Sequence, residues 1–154
     1  MLMHAPWCGR DSIEGARVLD VFAGTGAFGL EALSRGAAYA TFIENAPAAL
    51  RALRANIANC RAEDHAFVVE NNTLGVPSGQ PSTLVFLDPP YGQDLVPQAL
   101  NVLTARNWVA SGALIIIETA RSEVPFRPGE TDNWSQLAER YHGSARITVW
   151  RAAS

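Results

Sequence analysis

The sequence predicts an α/β fold: a doubly wound, mostly parallel sheet with helices on both faces and a C-terminal antiparallel hairpin. From residue 17 to residue 118, short apolar runs alternate with helical patterns, which is typical of right-handed strand–helix–strand units. Residues 84–87, Leu-Val-Phe-Leu, are apolar without alternation, as in a strand that is covered on both faces. After residue 118, two strand-like segments follow each other without a helix between them.

The first half of the chain contains two strand–helix pairs. A strand is predicted at 17–22 and a helix at 28–35, which Gly36 ends because glycine readily adopts the left-handed cap conformation. A second strand is predicted at 40–44. The next helix, 47–59, begins with a proline, which suits a first turn, and its apolar residues recur at helical spacing.

The second half continues this alternation and then departs from it. Strands are predicted at 66–69, 83–87 and 113–118, and a helix at 95–107. Prolines at 125 and 128 and a glycine at 129 mark a loop. The last two strands, 134–142 and 145–151, are joined near Gly143 and should form a hairpin with an antiparallel edge strand.

Composition indicates one soluble globular domain. The chain has 154 residues, of which 48% are hydrophobic and 18% charged, and no apolar run reaches the length of a membrane span. We therefore expect a cytoplasmic monomer that binds no membrane. Cys8 and Cys60 show neither metal-ligand nor disulfide spacing, so free thiols and no metal are expected. The net charge of −3 argues against a large phosphate-binding surface, although all twelve basic residues are arginine.

The tetrapeptide Asp88-Pro89-Pro90-Tyr91 directly follows the apolar run at 84–87. Ligands of parallel sheets bind at the carboxyl ends of strands, where this group would offer a carboxylate, a rigid turn and an aromatic ring. Such a group suits chemistry on a planar exocyclic amine. Two prolines after a strand can also serve only to end it, so this motif alone does not decide between the two interpretations.

A second motif, Gly24-Thr25-Gly26-Ala27-Phe28-Gly29, follows the first strand and opens the first helix. Glycines at this spacing allow a tight turn and a close approach to a cofactor. Glu44, at the end of the second strand, is placed to accept the hydroxyls of a ribose. These features fit a nicotinamide dinucleotide or S-adenosylmethionine. Asp20 favours the latter because it could accept the methionine ammonium, and the Asp-Pro-Pro-Tyr turn has no role in hydride transfer.

Together the two motifs resemble a known family. Residues 20–36, Asp-Val-Phe-Ala-Gly-Thr-Gly-Ala-Phe-Gly-Leu-Glu-Ala-Leu-Ser-Arg-Gly, and the tetrapeptide at 88–91 closely resemble the bacterial family that methylates the N2 amine of a guanine in 16S ribosomal RNA. The resemblance extends from about residue 17 to the C-terminus. It implies the seven-stranded class I methyltransferase sheet with S-adenosyl-L-methionine as the cofactor.

The resemblance also implies a role for individual residues. Residues 20–26 would hold the methionine part of the cofactor, Glu44 its ribose and Asn72 its adenine, although Asn72 could instead be a turn residue. The full set of implied cofactor contacts is Asp20, Phe22, Ala23, Gly24, Thr25, Gly26, Gly29, Glu44, Asn45, Asn72 and Asp88. The implied catalytic residues are Asp88, Pro89, Pro90 and Tyr91.

The implied partner is 16S ribosomal RNA or an assembly intermediate of the small subunit. Arg121 and Arg127, in the loop after the fifth strand, are the candidate RNA contacts. Family members carry a longer segment with a basic hairpin before the first strand. We therefore expect 1–16 to be a short N-terminal extension and 17–154 to be the methyltransferase domain. Methylation of adenine N6 or cytosine N4, and a non-catalytic cofactor-binding remnant, remain alternatives.

Overall fold

The computed structural model describes residues 10–129 and 131–154. It contains seven strands: β1 Arg17–Val21, β2 Tyr39–Ile43, β3 Ala66–Val69, β4 Ser82–Leu87, β5 Val109–Ala120, β6 Ser135–His142 and β7 Ala145–Arg151. The α-helices are α1 Arg10–Ile13, α2 Ala27–Ser34, α3 Pro47–Asn59 and α4 Val96–Ala105, and two 3₁₀ turns are Glu63–His65 and Thr73–Gly75.

All seven strands form one sheet in the order β3-β2-β1-β4-β5-β7-β6. The first five strands are parallel, whereas β7 runs antiparallel to both β5 and β6. The predicted α/β sheet with its C-terminal antiparallel hairpin is therefore confirmed. The chain first winds from β1 toward β3 and then from β4 toward β6, so the winding reverses between β1 and β4. Open α/β sheets bind ligands in the crevice at such a reversal.

Alternate residues of each strand face two separate cores. On one face Val18 packs with Phe42 and with residues of α2 and α3, such as Phe28 and Leu53. On the other face Leu19 and its neighbours pack against α4. Phe28 and Phe86 stack with ring centres 4.2 Å apart, which fixes α2 against β4. This two-sided burial explains the continuous apolar runs of the central strands.

β5 is longer than the sequence predicts. It starts at Val109 instead of Ala113, and its pairing with β4 shifts between Ser82 and Leu84. Gly112 has φ of 72°, a left-handed conformation that interrupts the regular strand. The sequence Val-Ala-Ser-Gly at 109–112 lacks a strand pattern because this part of β5 contains the irregularity.

The N-terminal side of the fold also contributes to the core. Ile13 and Ala16 are buried beside Val18, although the predicted domain boundary lies at residue 17. Cys60 is a free, exposed thiol, while Cys8 lies outside the described residues. No helix in the described ranges is long and apolar enough to cross a membrane. The domain boundary, the monomeric state and the cytoplasmic location stay predictions.

Candidate active site

The glycine loop joins β1 to α2 at the reversal of the sheet. Gly26 has φ of 84° and precedes the first residue of α2, and a Cβ at this position would overlap Cδ1 of Leu53. Phe22 has φ of 59°, which is rare for an aromatic residue. The loop is therefore held in a strained, closely packed conformation, as is common where a backbone approaches a ligand.

Glu44 ties the end of β2 to this loop. Its Oε1 accepts a hydrogen bond of 2.7 Å from the Gly24 N–H, and its Oε2 accepts bonds of 3.0 Å from the N–H groups of Asn45 and Ala46. A carboxylate has about four acceptor positions, so one remains for a ligand. The predicted ribose residue is thus fixed in place and still has acceptor capacity.

Asp88 follows β4 and faces Glu118 of β5. The last paired residues of these strands are Leu87 and Ile117, so the two carboxyl groups come next to each other in register. Partial desolvation, followed by the charge of Glu118 and a hydrogen bond with it, raises the pKa of Asp88 to about 6. At neutral pH, Asp88 is therefore mainly an acceptor.

A cavity of about 670 Å³ connects the two motifs at the carboxyl ends of the strands. Its lining includes these predicted site residues: Phe22, Glu44, Asn45, Asn72, Asp88, Pro89, Pro90 and Tyr91. Sequence reasoning missed further lining residues, among them Asn71, Leu74, Gln93 and Glu118. Glu118 had a detectable signal, because it ends the fifth predicted strand at the same edge as Asp88.

The other predicted cofactor residues are not part of the cavity lining. Ala23, Gly24, Thr25, Gly26 and Gly29 do not line it, and neither does Asp20. Asp20 is buried, and its Oδ2 accepts a hydrogen bond of 3.0 Å from the Gly29 N–H. Burial raises the pKa of Asp20 to about 8, against the opposing effect of that bond. The roles predicted for these residues stay predictions.

The buried carboxyl group of Asp20 gives a testable pH dependence. Its folded-state pKa lies above the ordinary value of 3.8, so the folded protein holds a proton that the unfolded chain releases. Stability should therefore fall as pH rises from 4 to 8, by up to about 1.4 kcal/mol per pH unit from this group. Asp20→Asn should remove that slope in denaturant unfolding. Asp64→Asn, at an exposed position, is the control, and an unchanged slope in Asp20→Asn would contradict the assignment.

Asn72 is a turn residue that also lines the cavity, and its predicted contact with adenine stays a prediction. Its Oδ1 accepts a hydrogen bond of 3.0 Å from the Leu74 N–H and so begins the turn Thr73–Gly75. It also lines the cavity, next to the exposed side chain of Leu74. The turn therefore contributes a polar and an apolar side chain to the lining of the cavity.

The loop after β5 is linked to the Asp-Pro-Pro-Tyr turn. Glu123 accepts hydrogen bonds of 3.0 Å from the Gly92 N–H and 2.7 Å from the Ala120 N–H. Arg121 and Arg127 lie on either side of Glu123 in this loop and are both exposed. Arg127 lines a neighbouring cavity of about 560 Å³, which shares Pro89 with the first one. Arg127 therefore lies beside the candidate active site, and Arg121 directly follows β5 at the same edge of the sheet.

The electrostatic character of the site is acidic. Glu44, Asp88 and Glu118 line the first cavity, and no arginine among the described residues does so. Desolvation and the charges of Glu118, Asp88 and Glu123 raise the pKa of Tyr91, so its phenol stays protonated. An acidic cleft attracts cations and repels a pyrophosphate. The lining therefore fits a sulfonium and ammonium better than a nicotinamide dinucleotide.

Comparisons of the sequence with known proteins show which family the chain belongs to. The family model described as conserved hypothetical protein 95 matches residues 4–151. The chain is 38% identical over 142 residues to ribosomal RNA small subunit methyltransferase D of Escherichia coli K12, covering 90% of this chain and 70% of the relative. The Haemophilus influenzae protein of the same name is 35% identical over 144 residues, covering 90% and 73%.

A solved structure extends the likeness to three dimensions. The Escherichia coli protein yhhF superposes with a TM-score of 0.86 at 36% identity, covering 99% of this chain and 83% of that one. Because the superposition covers 99% of this chain, it includes the seven-stranded sheet. The chain belongs to the conserved hypothetical protein 95 family, together with the bacterial ribosomal RNA small subunit methyltransferases D, and has the class I methyltransferase fold.

Proposed function

We propose that the protein transfers a methyl group from S-adenosyl-L-methionine to the exocyclic N2 amine of a guanine in 16S ribosomal RNA. The observation that carries the proposal is the single cavity that Glu44 lines together with Asp88 and Tyr91. In this proposal, Glu44 is the ribose acceptor and Asp88 the amine acceptor, and the shared cavity supports the proposal because both side chains line it. The names of the relatives support small-subunit RNA as the substrate.

The residues present fit the cofactor. A cavity of about 670 Å³ is within the usual range for small-ligand sites. Glu44 retains acceptor capacity for ribose hydroxyls, and Asn72 and Leu74 offer polar and apolar contacts for a base. The acidic lining suits the positive charge of the sulfonium and the ammonium. When bound, the cofactor supplies an electrophilic methyl group.

The chain's own residues would then prepare the amine. An exocyclic amine is a poor nucleophile because its lone pair is delocalised into the ring. Asp88 and the Pro89 carbonyl can each accept a hydrogen bond from one N–H of the amine and so favour the form in which the lone pair is available. Pro89 and Pro90 restrict the backbone that carries these acceptors. Tyr91, 52% exposed, can stack on a base that has left its helix.

The proposal is tested by incubating the protein with labelled S-adenosyl-L-methionine and unmethylated small subunits or 16S RNA. Digestion to nucleosides should yield N2-methylguanosine. Label in N6-methyladenosine or N4-methylcytidine would reassign the base. Label in none of these, when S-adenosylhomocysteine binds in calorimetric titration, would contradict the proposed activity. Tighter binding of a nicotinamide dinucleotide than of S-adenosylhomocysteine would contradict the cofactor.

Glu44→Gln should weaken S-adenosylhomocysteine binding by roughly tenfold to a hundredfold, because three backbone donors lose a charged acceptor and the glycine loop loosens. Calorimetric titration measures this change. Glu70→Gln is the matched control, since Glu70 follows β3 at the same edge but pairs with Arg54 outside the cavity. Equal affinity of the two variants would show that Glu44 does not support the cofactor.

A further inference from the structure

An arginine–tyrosine pair lies at the same sheet edge as the candidate active site. The Arg121 guanidinium carbon is 4.5 Å from the ring centre of Tyr141. Arg121 directly follows β5, and Tyr141 is the penultimate residue of β6. Because β5 and β6 both run antiparallel to β7, their carboxyl ends meet at one edge. The pair is therefore on the side of the sheet where Asp88 lies.

Buried Arg146 holds this pair in place. Arg146 is 7% exposed and pairs in register with Tyr141 on one side and Thr119 on the other. Its guanidinium donates to the Arg121 carbonyl at 2.8 Å and to the Glu123 carbonyl at 2.7 Å. The loop is thus fixed before a ligand arrives, which lowers the entropy cost of binding.

Both side chains of the pair are accessible to a binding partner. Tyr141 is 50% exposed, and Arg121 is exposed as well. Within residues 10–129 and 131–154, no carboxylate forms an ion pair with Arg121. The carboxylate of nearby Glu123 is engaged by backbone N–H groups, and one of these belongs to Gly92, next to Tyr91. Arg146, which donates to the Arg121 and Glu123 carbonyls, and Glu123 therefore link the pair to the turn that would hold the target base.

We propose that Arg121 and Tyr141 bind the single-stranded RNA next to the nucleotide that enters the cavity. This inference rests on the proposed RNA substrate. An exposed guanidinium that forms no ion pair can contact a phosphate, and an exposed aromatic ring can stack on an unpaired base, and binding of single-stranded nucleic acid uses both contacts. Arg146 is a positioning residue in this arrangement.

Binding of a fluorescein-labelled single-stranded RNA of about 12 nucleotides, followed by anisotropy, tests the inference. Tyr141→Ala should raise Kd roughly 5- to 100-fold, and Tyr141→Phe should restore binding. Arg121→Ala should reduce the slope of log K against log salt by about 0.7. Arg17 lies 5.1 Å from the Tyr39 ring at the opposite edge, so Arg17→Ala and Tyr39→Ala are matched controls that should bind like wild type.

Affinity for S-adenosylhomocysteine should be unchanged in all variants, which shows that they are folded. Equal RNA affinity of wild type, Arg121→Ala and Tyr141→Ala would overturn the inference, as would wild type that does not bind the RNA. Methyl transfer is measured separately. Wild type that binds RNA through this pair but transfers no methyl group would contradict the proposed function and support the RNA surface.

Discussion

Asp88→Ala is expected to lower the rate of methyl transfer by about 10²- to 10³-fold, the usual cost of removing one group that stabilises a transition state. The amine loses the hydrogen-bond acceptor that Asp88 offers, so the Pro89 carbonyl is the one proposed acceptor that remains. Single-turnover rates with a saturating methyl donor and RNA measure this step. Saturation matters because Asp88 also lines the cavity that would hold the cofactor.

Asp88→Asn separates the charge of this residue from its acceptor function. The pKa of Asp88 is raised to about 6, so the wild-type rate should rise with pH through that value as the carboxylate forms. The amide keeps one acceptor oxygen and does not titrate in this range, so its rate should be intermediate and independent of pH. A wild-type rate in Asp88→Ala would contradict the assignment of Asp88 as the amine acceptor.

Gly29→Ala is expected to lower the free energy of unfolding by about 2 kcal/mol, and Tm by about 4 to 8 °C. A Cβ at Gly29 would overlap Cε1 of Phe42 and lie 2.8 Å from its Cζ. Phe42 is fully buried in the core between β2 and α2, so its ring has no free space to move into. The free-energy cost of this clash should exceed the gain of about 1 kcal/mol that alanine has over glycine in a helix interior.

Thermal unfolding compares this variant with Gly75→Ala. A Cβ at Gly75 would meet nothing within 4 Å, and Gly75 does not have positive φ. That control should be as stable as wild type or slightly more so, because alanine restricts the unfolded chain. Equal Tm values for the two variants would show that close packing of α2 on β2 does not require Gly29.

Much of the fold was predictable because its signals are local. The apolar runs define β1, β4 and most of β5, and the glycine loop defines the start of α2. The same locality limited the prediction at residues 109–112, where a left-handed glycine lies inside a strand. There, the tertiary context overrides the local pattern.

The residues of the candidate site were predictable where they belong to a motif or end a strand. They were not predictable where segments distant in sequence meet. Glu44, Asp88 and Tyr91 were found from spacing and strand ends, and all three line the cavity. Glu123 and Tyr141 were missed, because each contacts a residue that is far away in sequence. Their contacts, to Gly92 and Arg121, arise from loops that no local pattern connects.

The sequence by itself determined the order of strands and helices, the two motifs and the sheet edge at which they lie. Only the tertiary structure decided which carboxyl groups face each other. Asp88 meets Glu118 because the irregularity near Gly112 sets the pairing of β4 with β5. Side chains alternate between the faces of a strand, so a one-residue slip would turn Glu118 to the other face. Register results from long-range packing, which a local pattern does not specify.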